Sequence, residues 1–310
     1  MKIVVTGATG FVGRPLCQKL LNEGHSVTAL SRDAAKVKQA FGDKVTAATW
    51  GKSGDEAGLS ALENADAVIH LAGESVAGGR WTPEFKRKIR DSRIDTSRQL
   101  VDSIAKLSRR PSVLVSASAV GFYGTRGDET ITEESAAGAG FLPDVCKEWE
   151  AEVNRASDLG VRVATMRLGV VLGRGGALEK MLYPLPVRIS PYKLGLGGPL
   201  GSGKQWMPWI HIDDVSGLFL WAMQNAQIAG AVNATAPEPV RNAEFARALG
   251  RLFHRPALFP VPAFALRLML GEFADTVLNG QKVLPKVAEN QGYVFRYRTL
   301  DTALQSLTPL

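Results

Sequence analysis

Gly7-Ala8-Thr9-Gly10-Phe11-Val12-Gly13 follows directly on the β-branched run Lys2-Ile3-Val4-Val5-Thr6. It leads into Phe11–Asn22, where Val12, Leu16, Leu20 and Leu21 recur near one face and Gly24 marks the stop. That order predicts strand, tight turn and helix. Gly7 permits the turn, Gly10 lets backbone approach a ligand closely, and Gly13 lets the helix lie against the strand. The helix then aims unpaired amides and its positive dipole end at the loop, which suits a pyrophosphate. Gly7, Thr9, Gly10, Phe11, Val12 and Gly13 therefore form a candidate dinucleotide cradle. The other reading is a structural corner with no ligand.

Strand and helix patterns alternate downstream. Ser26–Leu30 reads as a second strand, and Asp33 caps a helix running to about Phe41. Val45–Thr49, Ala67–Leu71, Ser112–Val115 and Val161–Leu168 read as further strands, with helices over Pro83–Lys106 and Leu142–Leu159 between them. This predicts an α/β fold, a Rossmann-like doubly wound parallel sheet. From Gly173 to Gly203 the chain turns rich in Gly and Pro and reads as loop. A short strand then enters a helix over Ser216–Asn225, and Val232–Ala234 follows as strand. Asn242 is placed to cap Ala243–Phe253, and Pro260–Leu310 reads as helices with short turns. Residues 1–172 and 207–235 are thus expected to make the nucleotide-binding unit. Residues 173–206 and 236–310 would form a smaller, mostly helical lobe on the substrate side.

Composition narrows the function. Of 310 residues, 45% are hydrophobic and 22% charged, enough apolar surface to offset the entropy of ordering. No uncharged apolar run approaches the roughly 18 residues of a membrane span. Met1-Lys2 leaves no room for a signal peptide before the first strand, and two cysteines, Cys17 and Cys146, make no disulfide framework. A cytoplasmic setting is expected. The net charge of +7 fits a phosphorylated ligand, but the basic residues form no block and no nucleic-acid-binding signature accompanies them, so no nucleic-acid or membrane partner is expected.

The second strand ends in Ser31-Arg32-Asp33. An acidic residue there suits a free ribose 2′-hydroxyl, whereas arginine accommodates a 2′-phosphate. Arg32, aided by the Ser31 hydroxyl, favours NADP(H), while Asp33 is taken up by the helix cap. The fourth strand ends in His70-Leu71-Ala72-Gly73-Glu74. Leu71, Ala72 and Gly73 are small enough in profile to lie beneath a cofactor ribose, Glu74 stands at the mouth, and His70 reads as packed.

These segments, with Ser116-Ala117-Ser118, Arg167-Leu168-Gly169-Val170-Val171-Leu172-Gly173 and Trp209-Ile210-His211-Ile212-Asp213-Asp214-Val215, resemble the extended short-chain dehydrogenase/reductase superfamily, which includes the sugar-nucleotide epimerases. Arg80-Trp81-Thr82, Asp91-Ser92-Arg93 and Gly195–Gly203 are similar to an atypical, epimerase-like, NADP-binding subgroup whose reaction is unassigned. The resemblance implies a serine, which Ser118 matches, with Ser116 beside the cofactor. It also implies Tyr-x-x-x-Lys on the helix after the fifth strand, where the lysine ammonium favours a phenolate general base. Here Leu142 and Cys146 occupy those positions. Lys147 is one place off, about 100° around the helix. Tyr123, on the loop after the strand, is the substitute base; its other reading is a packed aromatic. Arg93 stands where the family has a helical asparagine facing the site. The resemblance implies a small-molecule substrate and a homodimer through paired long helices. Loss of the tyrosine and lysine raises an alternative, a protein that binds NADP(H) without turnover as a regulator or scaffold.

Arg80, Lys86, Lys88, Arg90 and Arg93 gather at the start and along the long helix, either to bind cofactor phosphate or an anionic substrate or as a solvated basic face, and Arg93 is counted with the cofactor-binding residues. Gly195–Gly203 followed by Lys204-Gln205-Trp206 reads as a lid or an ordinary surface loop. His211, Asp213 and Asp214 lack a third partner for a metal, and the carboxylates are expected to cap the next helix.

Overall fold

The computed structural model describes residues 1–50, 56–183 and 189–308. Parts of the Gly173–Gly203 stretch and of the C-terminal tail, at 184–188 and 309–310, lie outside the described residues. Five strands open the chain: β1 (Lys2–Thr6), β2 (Ser26–Ser31), β3 (Thr46–Thr49), β4 (Ala67–His70) and β5 (Val113–Ala119). Arg162–Leu168 and Gly230–Ala234 complete one seven-stranded sheet, every pair parallel, in the order 230–234, 162–168, β5, β4, β1, β2, β3. The fold is the Rossmann-like doubly wound sheet expected.

The helices alternate with these strands: α1 (Gly13–Asn22), α2 (Ala34–Phe41), α3 (Glu56–Glu63), α4 (Pro83–Ala105) and α5 (Phe141–Asn154). The strands are apolar over nearly their whole length because helices cover both faces. Ile3, Val4, Val5, Val68, Ile69, Leu114 and Val115 are each at most 2% exposed and pack with Leu16, Leu20, Leu100 and Ile104 from the helices. α3 is short and buries only Gly58 and Leu62, so no long apolar stripe marks it in the sequence. Asp33 does cap α2, its carboxylate accepting the Lys36 amide at 3.2 Å.

The chain builds β1, β2 and β3 to one side, then crosses to lay β4 on the other side of β1. That reversal opens a crevice at the carboxyl ends of β1 and β4, where ligands of such sheets bind. The two exits touch: a Cβ on Gly7, whose φ is +69°, would stand 2.7 Å from the Leu71 carbonyl oxygen. Thr6 ties them together. Its hydroxyl accepts the amides of Leu71 and Ala72 at 3.1 and 3.3 Å, so it donates to His70 Nδ1 at 2.7 Å. The His70 proton then sits on Nε2 and is donated to Ser97 Oγ at 3.1 Å. Burial pushes the imidazole down to about 4, which keeps it neutral.

A second apolar cluster holds the lobe. Leu178, Leu182, Trp209, Phe245, Leu249, Ala303 and Leu304 pack together, and Leu172 and Met207 join them. Ala288 and Phe295, late in the chain, pack instead into the sheet core. Among the described residues no helix is long and apolar enough to cross a membrane.

The lobe corrects three sequence expectations. Gly195–Gly203 is stitched down. Leu196, Phe259, Val261 and Gly201 donate backbone hydrogen bonds to Pro191, Gly197, Pro199 and Val261, and the Leu200 amide donates to Asn242 Oδ1 at 2.7 Å. Its glycines serve close packing, since a Cβ on Gly198 would lie 2.2 Å from the Phe259 carbonyl oxygen. Asn242 is consequently the first residue of helix Asn242–Leu252, preceded by Arg241, whose amide donates to Glu244 Oε2 at 2.7 Å. Helix Ile212–Gln224 starts earlier than expected and is capped by His211, whose Nδ1 accepts the Asp213 amide at 3.1 Å. Asp214 instead accepts the amides of Arg296 and Tyr297 at 2.8 and 2.9 Å, fastening the C-terminal segment to the sheet domain.

Candidate functional site

The glycine turn has the form of an anion cradle. Gly10 donates to the Gly7 carbonyl at 3.0 Å, closing the turn. A Cβ on Gly13 would lie 2.2 Å from that same oxygen, so only glycine lets α1 start this close. The amides of Phe11 and Val12 have no hydrogen-bond partner among the described residues. Two free donors at a helix N-terminus, beside an αL glycine, fit the phosphates of a dinucleotide. The Phe11 ring is wedged against Gly173 and Gly176, where Cβ atoms would approach it to 3.0 and 2.3 Å. Thr9 contributes its carbonyl to Arg14 Nε at 2.9 Å, which stiffens the loop.

At the end of β2 the Ser31 hydroxyl accepts the Asp33 amide at 3.1 Å, and Arg32 stands exposed with no hydrogen-bond or ion-pair partner among the described residues. It lies at the end of the crevice on the β2 side of β1. At the end of β4, Leu71 and Ala72 are half-buried above Thr6, and Gly73 is exposed. The Glu74 amide donates to Ser92 Oγ at 3.0 Å and its carboxylate pairs with Lys88 at 3.1 Å. Ser116 is fully buried opposite His70 in the sheet, below the crevice rather than open to it.

Past β5 the chemistry changes character. Ser118 is 2% exposed and its hydroxyl donates to Glu150 Oε1 at 2.5 Å. Tyr123 is wholly buried. Its hydroxyl donates to Asn233 Oδ1 at 2.7 Å and accepts from Arg167 Nη1 at 2.8 Å, so both capacities of the phenol are engaged inside the protein. Burial pushes its pKa up, with the Arg167 charge opposing. Arg167 also grips Glu150 with two parallel bonds, Nε to Oε1 at 2.9 Å and Nη2 to Oε2 at 2.7 Å, and stacks 3.5 Å from the Phe122 ring centroid. Sequence reading assigned no role to Glu150, Arg167 or Asn233. An arginine within an apolar strand was the available sign, because such a charge demands a carboxylate.

On α5, Leu142 and Cys146 lie against Gly121: a Cβ there would meet Leu142 Cβ at 3.4 Å and Cys146 Sγ at 3.8 Å. Burial, reinforced by the Glu150 charge, pushes the Cys146 thiol up to about 12, while the Arg93 charge opposes. It is a neutral, enclosed group, not a nucleophile. Lys147 points away and pairs with Asp144 at 2.7 Å. Arg90 and Arg93 separate: Arg90 pairs with Glu148 on α5, and Arg93 turns toward Gly73, its Cζ 3.3 Å from where a Gly73 Cβ would be. Trp206 lies apart from these groups, its indole donating to Asp128 at 2.7 Å beneath Arg241 and Lys282. His211 donates from Nε2 to Ser306 at 3.1 Å and packs on Tyr297, and among the described residues no cluster of metal ligands forms.

Comparison with known proteins gives the family and the fold. Residues 3–234 match the NAD dependent epimerase/dehydratase family, and residues 261–307 match a domain of unknown function, DUF1731. An Arabidopsis thaliana protein described as "Epimerase family protein SDR39U1 homolog, chloroplastic" is 41% identical across 99% of this chain and 86% of its own length. The Bacillus subtilis epimerase family protein YfhF is 40% identical across 99% and 98%. The crystal structure of human epimerase family protein SDR39U1 with NADPH superposes with a TM-score of 0.86 at 32% identity, covering the whole of both chains.

Proposed function

The chain belongs to the NAD dependent epimerase/dehydratase family, and from that premise we propose that it is an NADP(H)-binding, epimerase-like oxidoreductase acting on a small molecule. The observation that carries this reading is the pair of unpartnered amides, Phe11 and Val12, held open at a cradle that only glycines permit. The human relative solved with NADPH supports the choice of coenzyme. Exposed, unpaired Arg32 supports it independently, since a guanidinium fork matches a 2′-phosphate.

When bound, the dihydronicotinamide supplies a hydride equivalent. The chain's own part is positional. Phe11 and Val12 would hold the coenzyme phosphates, Arg32 and Ser31 would hold its 2′-phosphate end, and Leu71, Ala72 and Gly73 would form the floor beneath it. Glu74 and Lys88 rim the mouth. Ser118 and Tyr123 act through the buried Glu150–Arg167 group, which anchors α5, the helix that carries Leu142. Arg93, with donors to spare, orients the reacting molecule.

A second reading, a non-catalytic NADP(H)-responsive regulator or scaffold, is favoured by one specific observation: Leu142, the neutral Cys146 thiol and the enclosed Tyr123 leave no side-chain acid at the family's proton-transfer position. In either case we assign a cytoplasmic, homodimeric protein without nucleic-acid or membrane partners. The test is a fluorescence titration with NADPH and NADH, followed by single-turnover assays over carbonyl compounds and sugar nucleotides. Binding with oxidation of NADPH supports the enzyme, binding with inertness across the panel supports the regulator, and absence of NADPH binding removes both.

A further inference from the structure

The cations of α4 divide by the company they keep. Lys86 pairs with Glu272 at 2.5 Å, Lys88 with Glu74 at 3.1 Å and Arg98 with Glu152 at 2.5 Å, and Arg90 pairs with Glu148. Arg87 stands in solvent. Arg93 does neither. It is half-buried, and its Nη1 donates to the Ile89 carbonyl of its own helix at 2.9 Å. Its Cζ lies 5.2 Å from the Trp149 ring centroid. Among the described residues no carboxylate lies within ion-pair distance of it, and Glu74, whose charge it feels, is already held by Lys88. Its unbonded nitrogens still meet solvent.

A guanidinium has five N–H donors and does not shed its charge in proteins. Taking it partly out of water without a counter-charge is costly, and a fold keeps such a group only where something else repays the cost. Here the ring of Trp149 and the Ile89 carbonyl hold the plane of the fork in place. The fork faces the exit of β4, beside Gly73, and the Cys146 thiol of α5 is near enough to feel its charge. The free amides of Phe11 and Val12 belong to the exit of β1, one strand away, roughly 4.8 Å in the sheet. Arg32 lies on the opposite side of β1. The cradle and Arg32 together account for the phosphates of a dinucleotide, and Arg93 is left over at the far end of the crevice.

We propose that Arg93 is the docking point for a negatively charged group of the substrate, a carboxylate or a phosphate, so that the molecule acted upon is an anionic carbonyl compound. This rests on the oxidoreductase reading and narrows its substrate class. Planar, bidentate recognition by a pre-oriented fork would fix the carbonyl against the nicotinamide without help from a tyrosine.

The experiment uses the full chain loaded with NADPH. Malonate and inorganic phosphate serve as probes, read by the fluorescence of the bound coenzyme, in wild type, Arg93→Met and Arg93→Lys. The expected result is a saturable response to at least one probe in wild type, weakened about tenfold or more in Arg93→Met and partly restored in Arg93→Lys. NADPH affinity should stay within about twofold in all three. Circular dichroism and a thermal scan check that the variants fold, and the Lys variant keeps the test open if the Met variant does not. No response to either probe in NADPH-loaded wild type overturns the proposal. So does a loss of NADPH affinity in Arg93→Met that matches the loss of probe affinity, because the guanidinium then belongs to the coenzyme. Failure of wild type to bind NADPH at all is a different result and overturns the underlying reading.

Discussion

Arg167 and Glu150 face each other across the interior with two parallel hydrogen bonds of 2.9 and 2.7 Å, each side chain under 10% exposed. The pair joins the strand Arg162–Leu168 to α5, the helix that carries Leu142 and Cys146. Ser118 adds a third bond to Glu150 and Tyr123 a bond to Arg167. Replacing a buried pair by apolar residues can be neutral, but removing one partner strands the other charge. Glu150→Gln should therefore cost about 3–5 kcal/mol. Urea denaturation at pH 7 checks it, and a loss below 1 kcal/mol would show that water reaches Arg167.

Tyr123→Phe separates structure from catalysis. Its hydroxyl bridges Arg167 and Asn233, so the variant leaves a donor and an acceptor unpaired in the interior. A stability loss of about 1–3 kcal/mol is expected, with NADPH affinity unchanged within about twofold. If turnover is found, its rate should fall no further than unfolding explains. A large drop in single-turnover rate in well-folded Tyr123→Phe would restore the phenol to the chemistry.

What the sequence disclosed followed from how local the cause was. Gly7, Gly10 and Gly13 act within one turn, and Asp33 caps a helix three residues away, so both are visible in the chain itself. Tyr123 and Asn233 are 110 residues apart and Arg167 and Tyr123 are 44 apart, so their shared network has no local pattern. Capping by His211 was missed for a related reason. The acidic Asp213 and Asp214 satisfy the usual preference, but the C-terminal segment claims Asp214 through the amides of Arg296 and Tyr297. Gly195–Gly203 reads equally as a lid or a surface loop because glycine permits both motion and close packing, and only the neighbouring 256–261 segment decides which.

Arg32 carries the coenzyme preference. It is exposed and makes no bond within the protein, so Arg32→Ala removes nothing from the fold. NADPH affinity should fall about tenfold or more, with NADH affinity changing less than about twofold. Paired titrations check both numbers, and equal losses for the two coenzymes would move the 2′-phosphate elsewhere.

Both cysteines are thiols in apolar surroundings, pushed up to about 12 by burial. Native protein at pH 8 should react with neither equivalent of a thiol-exchange reagent over minutes, and denatured protein with both. NADPH binding should likewise survive incubation with an alkylating agent. Rapid native modification of Cys146 would show that the packing of α5 against Gly121 opens and would make the thiol a reactive group.

Stability should decline in mild acid because of buried imidazoles. Burial holds His70 at about 4 against an ordinary 6.5, and it lowers His211 as well. A histidine whose folded pKa is depressed leaves the unfolded chain binding more protons at intermediate pH. Its contribution is complete above the unfolded pKa and is lost as pH falls from about 6.5 toward 4. From pH 7 to pH 5, His70 alone should remove about 2 kcal/mol, before most carboxylates titrate. His70→Gln abolishes that titration. Gln keeps an amide able to reach Thr6 or Ser97 but not both with the imidazole's geometry, so the variant should be about 1–3 kcal/mol less stable at pH 7. Its acid slope should nonetheless be shallower than wild type, by the His70 share. Denaturation midpoints for the two proteins at pH 7, 6 and 5 decide the matter, because parallel curves would mean that His70 titrates in the folded protein as it does in the unfolded chain and is not held neutral between Thr6 and Ser97.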